Sequence, residues 1–172
     1  YSMVDSMIVG KYVGADALAA VGATGSLNFL IFSLCGGMAN GIGIIISQYF
    51  GAGNDNGVKK AIANAVYIMT TSALLMGVIG LVFSRKLLIF LNTPENILDD
   101  SALYMQIMCV CILAVGLYNC IAGILRAVGD SKTPLYFLIV ASILNIILDL
   151  LFVRTFNMGV AGAGIATIIS QL

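Results

Sequence analysis

Long uncharged stretches divide this sequence and limit what it can fold into. No Asp, Glu, Lys or Arg occurs between Ala17 and Asn54, between Ala61 and Ser84, or between Ser101 and Leu125. Each stretch is at least as long as the ~20 apolar residues that a helix needs to cross the hydrocarbon core of a bilayer. A fourth stretch, Pro134 to Val153, is interrupted only by Asp149. The pattern predicts a protein that crosses a membrane several times.

The expected fold is all-α, a polytopic bundle of about six transmembrane helices. Only helices and closed β-barrels satisfy their backbone polar groups in lipid. Barrel strands alternate in hydrophobicity over ~10 residues, whereas these apolar runs are continuous. We predict one transmembrane domain over residues 1–172, with its first and last helices truncated. The expected spans are approximately 1–10, 23–50, 61–84, 101–125, 134–153 and 159–172.

The composition excludes several classes of protein. Hydrophobic residues make up 60% and charged residues 9% of the chain, against ~45–50% and ~25% in soluble domains. The formal net charge is zero, so nothing favours a nucleic-acid partner. We predict no cofactor and no zinc centre, because the chain has no His and its cysteines lack zinc-type spacing. The cysteines all lie inside predicted spans: Cys35, Cys109, Cys111 and Cys120.

The charges between the spans do not determine orientation. Short links join the spans, so consecutive helices should be antiparallel neighbours. Cytoplasmic links usually carry an excess of Lys and Arg, but here each side of the membrane receives four. One side has Lys59, Lys60, Arg126 and Lys132, and the other has Lys11, Arg85, Lys86 and Arg154.

Two aspartates, Asp5 and Asp149, lie inside apolar runs. An ionisable residue at membrane depth is costly and is by default a candidate functional residue. Asp149 stands five residues before Arg154, and Asp5 stands six before Lys11. Both carboxyl groups should therefore lie roughly 7–9 Å in from the same membrane face. The simpler alternative is that the two aspartates only hold helices together.

Other polar side chains are expected at comparable depth. Ser142, Asn145 and Asp149 are spaced three and four residues apart, so they share one helix face. That face should point to the interior of the bundle or to a water-filled cavity. Tyr104 on the fourth span and Thr167 on the sixth fall in the same half of the bilayer. These side chains offer mainly oxygen atoms, which can bind a proton or a small hard cation such as Na⁺.

Five segments, in order and over nearly the whole chain, resemble the multidrug and toxin extrusion (MATE) family of secondary transporters. They are MVDSMIVGKYVGADALAAVG (3–22), QYFGAGN (48–54), GILRAVGDSKTP (123–134), NIILD (145–149) and GVAGAGIATIISQ (159–171). The resemblance implies a twelve-helix transporter whose two six-helix lobes enclose a central cavity. This chain would be most of the first, N-terminal lobe. The links after the second and fourth spans would be cytoplasmic, and both aspartates would lie in the outer half of the membrane.

The resemblance also implies roles for particular residues. Asp5 matches an aspartate of the family's first helix, and Asn145 and Asp149 match the Asn-x-x-x-Asp pair of its fifth helix. Thr167 and Tyr104 fall where the family has a sixth-helix threonine and a fourth-helix tyrosine. In prokaryotic members such a cluster couples ion binding to drug export. Asp5, Asn145, Asp149 and Thr167 would therefore be the ion-coupling residues, with Na⁺ as the only metal to consider.

The implied activity is antiport across the plasma membrane of a bacterial or archaeal cell. An amphipathic or cationic small molecule would leave in exchange for H⁺ or Na⁺. The expected partners are this substrate, the membrane lipid and the second six-helix lobe of the same chain. Asn119 matches a polar fourth-helix position. Together with Tyr104 and Ser142, it is expected to line the substrate cavity or to extend the polar network.

Two alternatives stay open. A flippase for a lipid-linked precursor, from the same superfamily, would share the helical lobe. Such flippases tend to have basic cavity residues, and this chain has no Lys or Arg inside a predicted span. A structural membrane subunit would not transport at all.

An intramembrane aspartyl protease would need Tyr-Asp and Gly-x-Gly-Asp, whereas the aspartates here stand in VDS and LDL. We therefore predict that the chain is not an enzyme.

Overall fold

The computed structural model describes the backbone of residues 2–171 and the side chains from Asp5 to Gln171. Tyr1 and Leu172, which the predicted first and last spans include, lie outside the described residues. Over that range the all-α prediction is confirmed, because six α-helices and one π-helical segment are present and no strand occurs. The elements are α1 (Ser2–Tyr12), α2 (Ala15–Gly51), α3 (Asp55–Phe90), α4 (Glu95–Ala127), α5 (Lys132–Asp149), the π segment (Leu150–Thr155) and α6 (Gly159–Gln171).

Four helical stretches in the described part of the chain are long and apolar enough to cross a bilayer. They are α2, α3, α4 and the continuous helix from Lys132 to Thr155, with 37, 36, 33 and 24 residues. At 1.5 Å per residue, the longest of them extends well beyond a hydrocarbon core of ~30 Å. Their ends therefore project into the interface, where charged residues such as Asp16 and Arg85 are solvated.

The long helices begin earlier and end later than the charges alone suggest. Residues 51–60 were expected to link two spans, but α3 already begins at Asp55. The Asn54 side chain accepts the backbone N–H of Gly57 at 2.9 Å, which satisfies one of the free donors of the first turn. Lys and Arg are good helix formers, so helices continue through charged positions such as Arg85 once they have left the hydrocarbon.

Helix α4 is the centre of the bundle. It packs against α2, α3 and α6, while α5 packs mainly on α6 and α1 mainly on α2. Glycines allow the closest approaches. A Cβ atom on Gly80 of α3 would collide with Cys109 Sγ of α4, and one on Gly123 would lie 3.0 Å from the carbonyl oxygen of Ala39. Without a side chain at these two glycines, α4 can lie directly against both long neighbours.

The α-helical pattern of α5 ends at Asp149 and widens into the π segment. Past this point, Phe156 N–H donates to the carbonyl oxygen of Leu151 at 3.1 Å, and Met158 N–H donates to that of Phe152 at 3.1 Å. Gly159, with a φ of 59°, then turns the chain into α6. The predicted fifth span, 134–153, includes this change without distinguishing it. Single π-helical turns occur often at functional sites.

Candidate ion-binding site

Asp5, Asn145, Asp149 and Thr167 come together from three different helices. Asp5 lies on α1, Asn145 and Asp149 lie on α5, and Thr167 lies on α6. All four side chains are buried, with exposed fractions of 2%, 0%, 0% and 7% respectively. Residues that are 162 positions apart in sequence, Asp5 and Thr167, are directly hydrogen-bonded. The structure thus brings together the four residues that the sequence analysis assigned to ion coupling.

The Thr167 hydroxyl is the centre of the cluster. It accepts a hydrogen bond from Asn145 Nδ2 at 3.4 Å. It lies 3.3 Å from Asp5 Oδ2 and 3.0 Å from the carbonyl oxygen of Ala163, and it can donate to either. A threonine hydroxyl carries one hydrogen, so it serves only one of these two acceptors at a time. The bond to Ala163 keeps the hydroxyl satisfied whenever Asp5 is otherwise engaged.

Four buried oxygen atoms of the cluster have no hydrogen-bond donor among the described atoms. They are Asp5 Oδ1, Asn145 Oδ1 and both carboxyl oxygens of Asp149. Buried polar atoms in proteins are nearly always paired, and leaving one unpaired costs roughly 1–3 kcal/mol, more where it is charged. The cluster therefore has a surplus of acceptors that a positively charged ligand would relieve.

The carboxyl groups of Asp5 and Asp149 lie within electrostatic range of each other, and a direct hydrogen bond between them is one way to pair their free oxygens. Two ionised carboxylates can only accept hydrogen bonds, so this bond requires a proton on one of them. A shared proton would satisfy oxygen atoms of both residues. A small hard cation among the carboxyl, amide and hydroxyl oxygens would do the same, because such cations prefer oxygen ligands. The geometry can thus hold either a proton or a cation such as Na⁺.

Tyr104 of α4 borders the cluster. Its side chain is 3% exposed, and its phenol lies within electrostatic range of both Asp5 and Asp149. It packs in an apolar cluster with residues of α1, α2 and α6, among them Val9 and Ala163. This apolar wall lowers the local dielectric, which strengthens the interaction of the carboxylates with any bound cation.

Two predicted residues do not join the cluster. Ser142 Oγ donates to the carbonyl oxygen of Leu138 at 2.7 Å, and Asn119 Nδ2 donates to that of Val115 at 2.8 Å. Both side chains are half-buried and bond to their own helices. Ser142 shares a helix face with Asp149, but seven residues separate them by about 10 Å along the axis. The shared face therefore brings only Asn145 to the level of the two carboxyl groups.

A further contact near the site was not predicted from the sequence. The Arg154 guanidinium of the π segment lies 5.5 Å from the centre of the Tyr12 ring at the end of α1, within the range of a cation–π interaction. Lys11 Nζ lies 5.6 Å from the centre of the same ring. From the sequence, Lys11 and Arg154 were predicted only to lie at the same membrane face. A tyrosine next to one of them was the available signal for a contact between the two helix ends.

Comparison with known proteins identifies one family. The family model MatE matches residues 1–151. The probable multidrug resistance protein YpnP of Bacillus subtilis is 37% identical over 171 residues, which cover 99% of this chain and 38% of that protein. The probable multidrug resistance protein YoeA of the same organism is 35% identical over 174 residues, covering 99% and 38% respectively. The chain thus spans little more than a third of the length of these relatives.

Solved structures show the same fold. A crystal structure of a MATE protein in a bent conformation superposes with a TM-score of 0.95 at 24% sequence identity. The match covers 99% of this chain and 38% of that one. The helical arrangement described above is therefore the arrangement found in part of that protein.

Proposed function

Because this chain belongs to the MatE family, we propose that the full-length protein exports amphipathic or cationic compounds in exchange for H⁺ or Na⁺. Members of this family are transporters and not enzymes. Family membership and the span-length helices make the chain part of a multi-pass membrane protein. In our proposal it forms the first of two lobes, residues 1–172, in the plasma membrane of a prokaryotic cell.

The observation that carries this proposal is the acceptor surplus around Asp5 and Asp149. If the aspartates only held helices together, their oxygens would be paired with donors from neighbouring helices. Instead, four buried oxygens lack a donor among the described atoms. A group of this kind is best explained by a ligand that brings positive charge and leaves again, which is the role of a coupling ion.

The same chemistry supports exchange. Two ionised carboxylates in a low-dielectric site attract a cation strongly. Once a proton or Na⁺ neutralises them, that attraction is lost, and a cationic substrate is released. Loss of the ion on the other side of the membrane restores the attraction. The two Bacillus subtilis relatives are named probable multidrug resistance proteins, which supports drugs as the class of substrate.

The test is transport by the full-length protein in everted membrane vesicles. Uptake of a fluorescent organic cation is followed under an imposed pH gradient and, separately, under a Na⁺ gradient. We expect Asp149→Asn to lower gradient-driven uptake by at least tenfold, because the variant removes the charge that exchanges ligands. Asp100→Asn is the matched control, since Asp100 is an exposed residue in the first turns of α4 and the change removes the same charge.

The gradient that drives wild-type uptake identifies the coupling ion. If Asp5→Asn and Asp149→Asn both transport like the wild type, the carboxyl pair does not couple the ion and this proposal is wrong. If the wild type responds to neither gradient although the protein is present and folded, antiport itself is excluded.

A further inference from the structure

A groove of about 390 Å³ runs between α2 and α3 beside the turn that joins them. Its walls are graded in polarity along both helices. On α3, Lys60, Asn64 and Ile68 line the groove at intervals of four residues, so they follow one another along one helix face. On α2, Tyr49 lies near the turn, and Ile45 lies one helical turn deeper. The groove is thus polar at the membrane surface and apolar toward the bilayer centre.

The polar end of the groove is fixed by packing. A Cβ atom on Gly57 would lie 2.5 Å from Tyr49 Cδ1, so the Tyr49 ring rests against the backbone of α3. The first turn of α3 is held in turn by the Asn54 cap on the Gly57 N–H. Tyrosine rings are enriched at the level of lipid headgroups, and the position of Tyr49 near the end of α2 fits that level.

The charge at this end is positive and uncompensated. The lining of the groove contains Lys60 and no carboxylate. The salt bridge found among the described side chains joins Arg85 and Asp99 at 3.0 Å, so Lys60 pairs with no acidic residue there. Lys60 offers three hydrogen-bond donors and Asn64 two more, while a phosphate group offers only acceptors.

We propose that this groove binds one anionic phospholipid. The lipid phosphate contacts the Lys60 ammonium and the Asn64 amide, and an acyl chain lies along Ile45 and Ile68. Both isoleucines are 50% exposed, so they leave apolar surface for a chain to cover. From Lys60 to Ile68 the groove extends about 12 Å along α3, which spans the transition from headgroup to acyl chain. This site is distinct from the carboxyl cluster and does not depend on the proposed antiport.

The two adjacent lysines provide a matched pair for the test. Lys59 and Lys60 carry the same charge at the same end of α3, but only Lys60 lines the groove. Full-length wild type, Lys60→Gln and Lys59→Gln are reconstituted in phosphatidylcholine bilayers. The relative association of spin-labelled phosphatidylglycerol, compared with spin-labelled phosphatidylcholine, is measured by electron paramagnetic resonance. Each variant is first checked for a monodisperse profile and a wild-type melting temperature.

We expect Lys60→Gln to weaken selective phosphatidylglycerol association about fivefold, the effect of one lysine near an anionic lipid. Lys59→Gln should change it by less than about twofold, since a charge outside the groove acts only through screened solvent. Gly57→Ala should also weaken it, because the added methyl group displaces the Tyr49 ring. Excess inorganic phosphate should not displace the labelled lipid, because phosphate leaves the apolar walls uncovered.

Three results would overturn the proposal. Equal losses in the two lysine variants would mean that phosphatidylglycerol responds to surface charge in general. Unchanged association in Lys60→Gln would mean that the groove holds no anionic lipid. Complete displacement by inorganic phosphate would reduce the groove to a simple anion site. None of these outcomes bears on transport, so the two proposals stand or fall separately.

Discussion

Replacing Thr167 by valine tests whether the hydroxyl at the centre of the carboxyl cluster contributes to ion binding. Valine has nearly the same shape as threonine, so the change removes one oxygen and little volume. In the structure that oxygen accepts from Asn145 at 3.4 Å and contacts Asp5 at 3.3 Å. The substitution leaves the Asn145 amide without this acceptor and the Asp5 carboxylate without this donor.

The size of the effect follows from these contacts. A hydrogen bond to a charged group contributes about 1.5–3 kcal/mol. The two distances here are at or beyond the long end of ordinary hydrogen bonds, and the hydroxyl also serves Ala163. The lower value, ~1.5 kcal/mol, is therefore appropriate, and it corresponds to about a tenfold change in an equilibrium constant.

The assay is the vesicle uptake of the full-length protein, measured as a function of ion concentration. If Na⁺ drives uptake, Thr167→Val should lower the half-saturating Na⁺ concentration about tenfold, because the lost donor stabilises the ion-free carboxylate of Asp5. If protons drive it, the midpoint of the pH profile should move upward by about one pH unit, because the ionised carboxylate loses a donor. Thr167→Ser keeps the hydroxyl and should behave like the wild type. An unchanged ion dependence in Thr167→Val would refute a role for this hydroxyl in the ion site.

Two further predictions concern stability, measured as the apparent melting temperature of the full-length protein in detergent. Gly80→Ala should destabilise it by about 1–3 kcal/mol, because the new methyl group meets the buried Cys109 sulfur. Adding Cys109→Ala should restore stability. Gly36→Ala is the control and should not destabilise the protein, because the space around Gly36 is open. The Asp130 carboxylate accepts hydrogen bonds from the backbone N–H groups of Lys132 and Thr133 at 3.1 and 3.0 Å. The interaction with the Thr133 side chain contributes most to lowering the pKa of Asp130. A lowered pKa stabilises the fold above the ordinary value of 3.8 and ceases to do so as the pH falls through the folded value. Asp130→Ala should therefore lower the melting temperature at pH 7, and the difference from wild type should narrow steadily as the pH falls below 3.8; a gap of constant size over that range would contradict the assignment.

The helical fold could be predicted from the sequence because the bilayer leaves few alternatives. Uncharged stretches of sufficient length have to be helices if they lie in lipid. The limits of the helices were harder to predict. The charge-free stretch predicts a third span that begins at Ala61, whereas α3 already begins at Asp55, directly after the capping residue Asn54. Outside the hydrocarbon, the positions of charged residues therefore do not mark where a helix begins or ends.

The candidate site was predictable in depth but not in arrangement. Counting residues from Lys11 and Arg154 places Asp5 and Asp149 at similar depth, yet it cannot tell neighbours from residues on opposite sides of the bundle. Their contact depends on α1 packing beside α5, α6 and the π segment. The π segment itself has no sequence signal, because LLFV (150–153) is as apolar as the helix before it. Neither glycine nor proline marks the change.

In the proposed antiport, the contacts of Thr167 explain how a site with surplus acceptors can remain folded between ligands. Its hydroxyl hydrogen has two acceptors, Asp5 Oδ2 and the Ala163 carbonyl oxygen, and it can turn to whichever needs it. When a cation or proton satisfies Asp5, the hydroxyl is free to turn back to its own helix. When that ligand leaves, the hydroxyl can return to the carboxylate and offset part of the cost of the buried, unpaired charge. A purely structural pair of aspartates would gain nothing from such an alternative. The exchange of one hydrogen between two acceptors is therefore what we expect of a site whose ligand has to be released in every transport cycle.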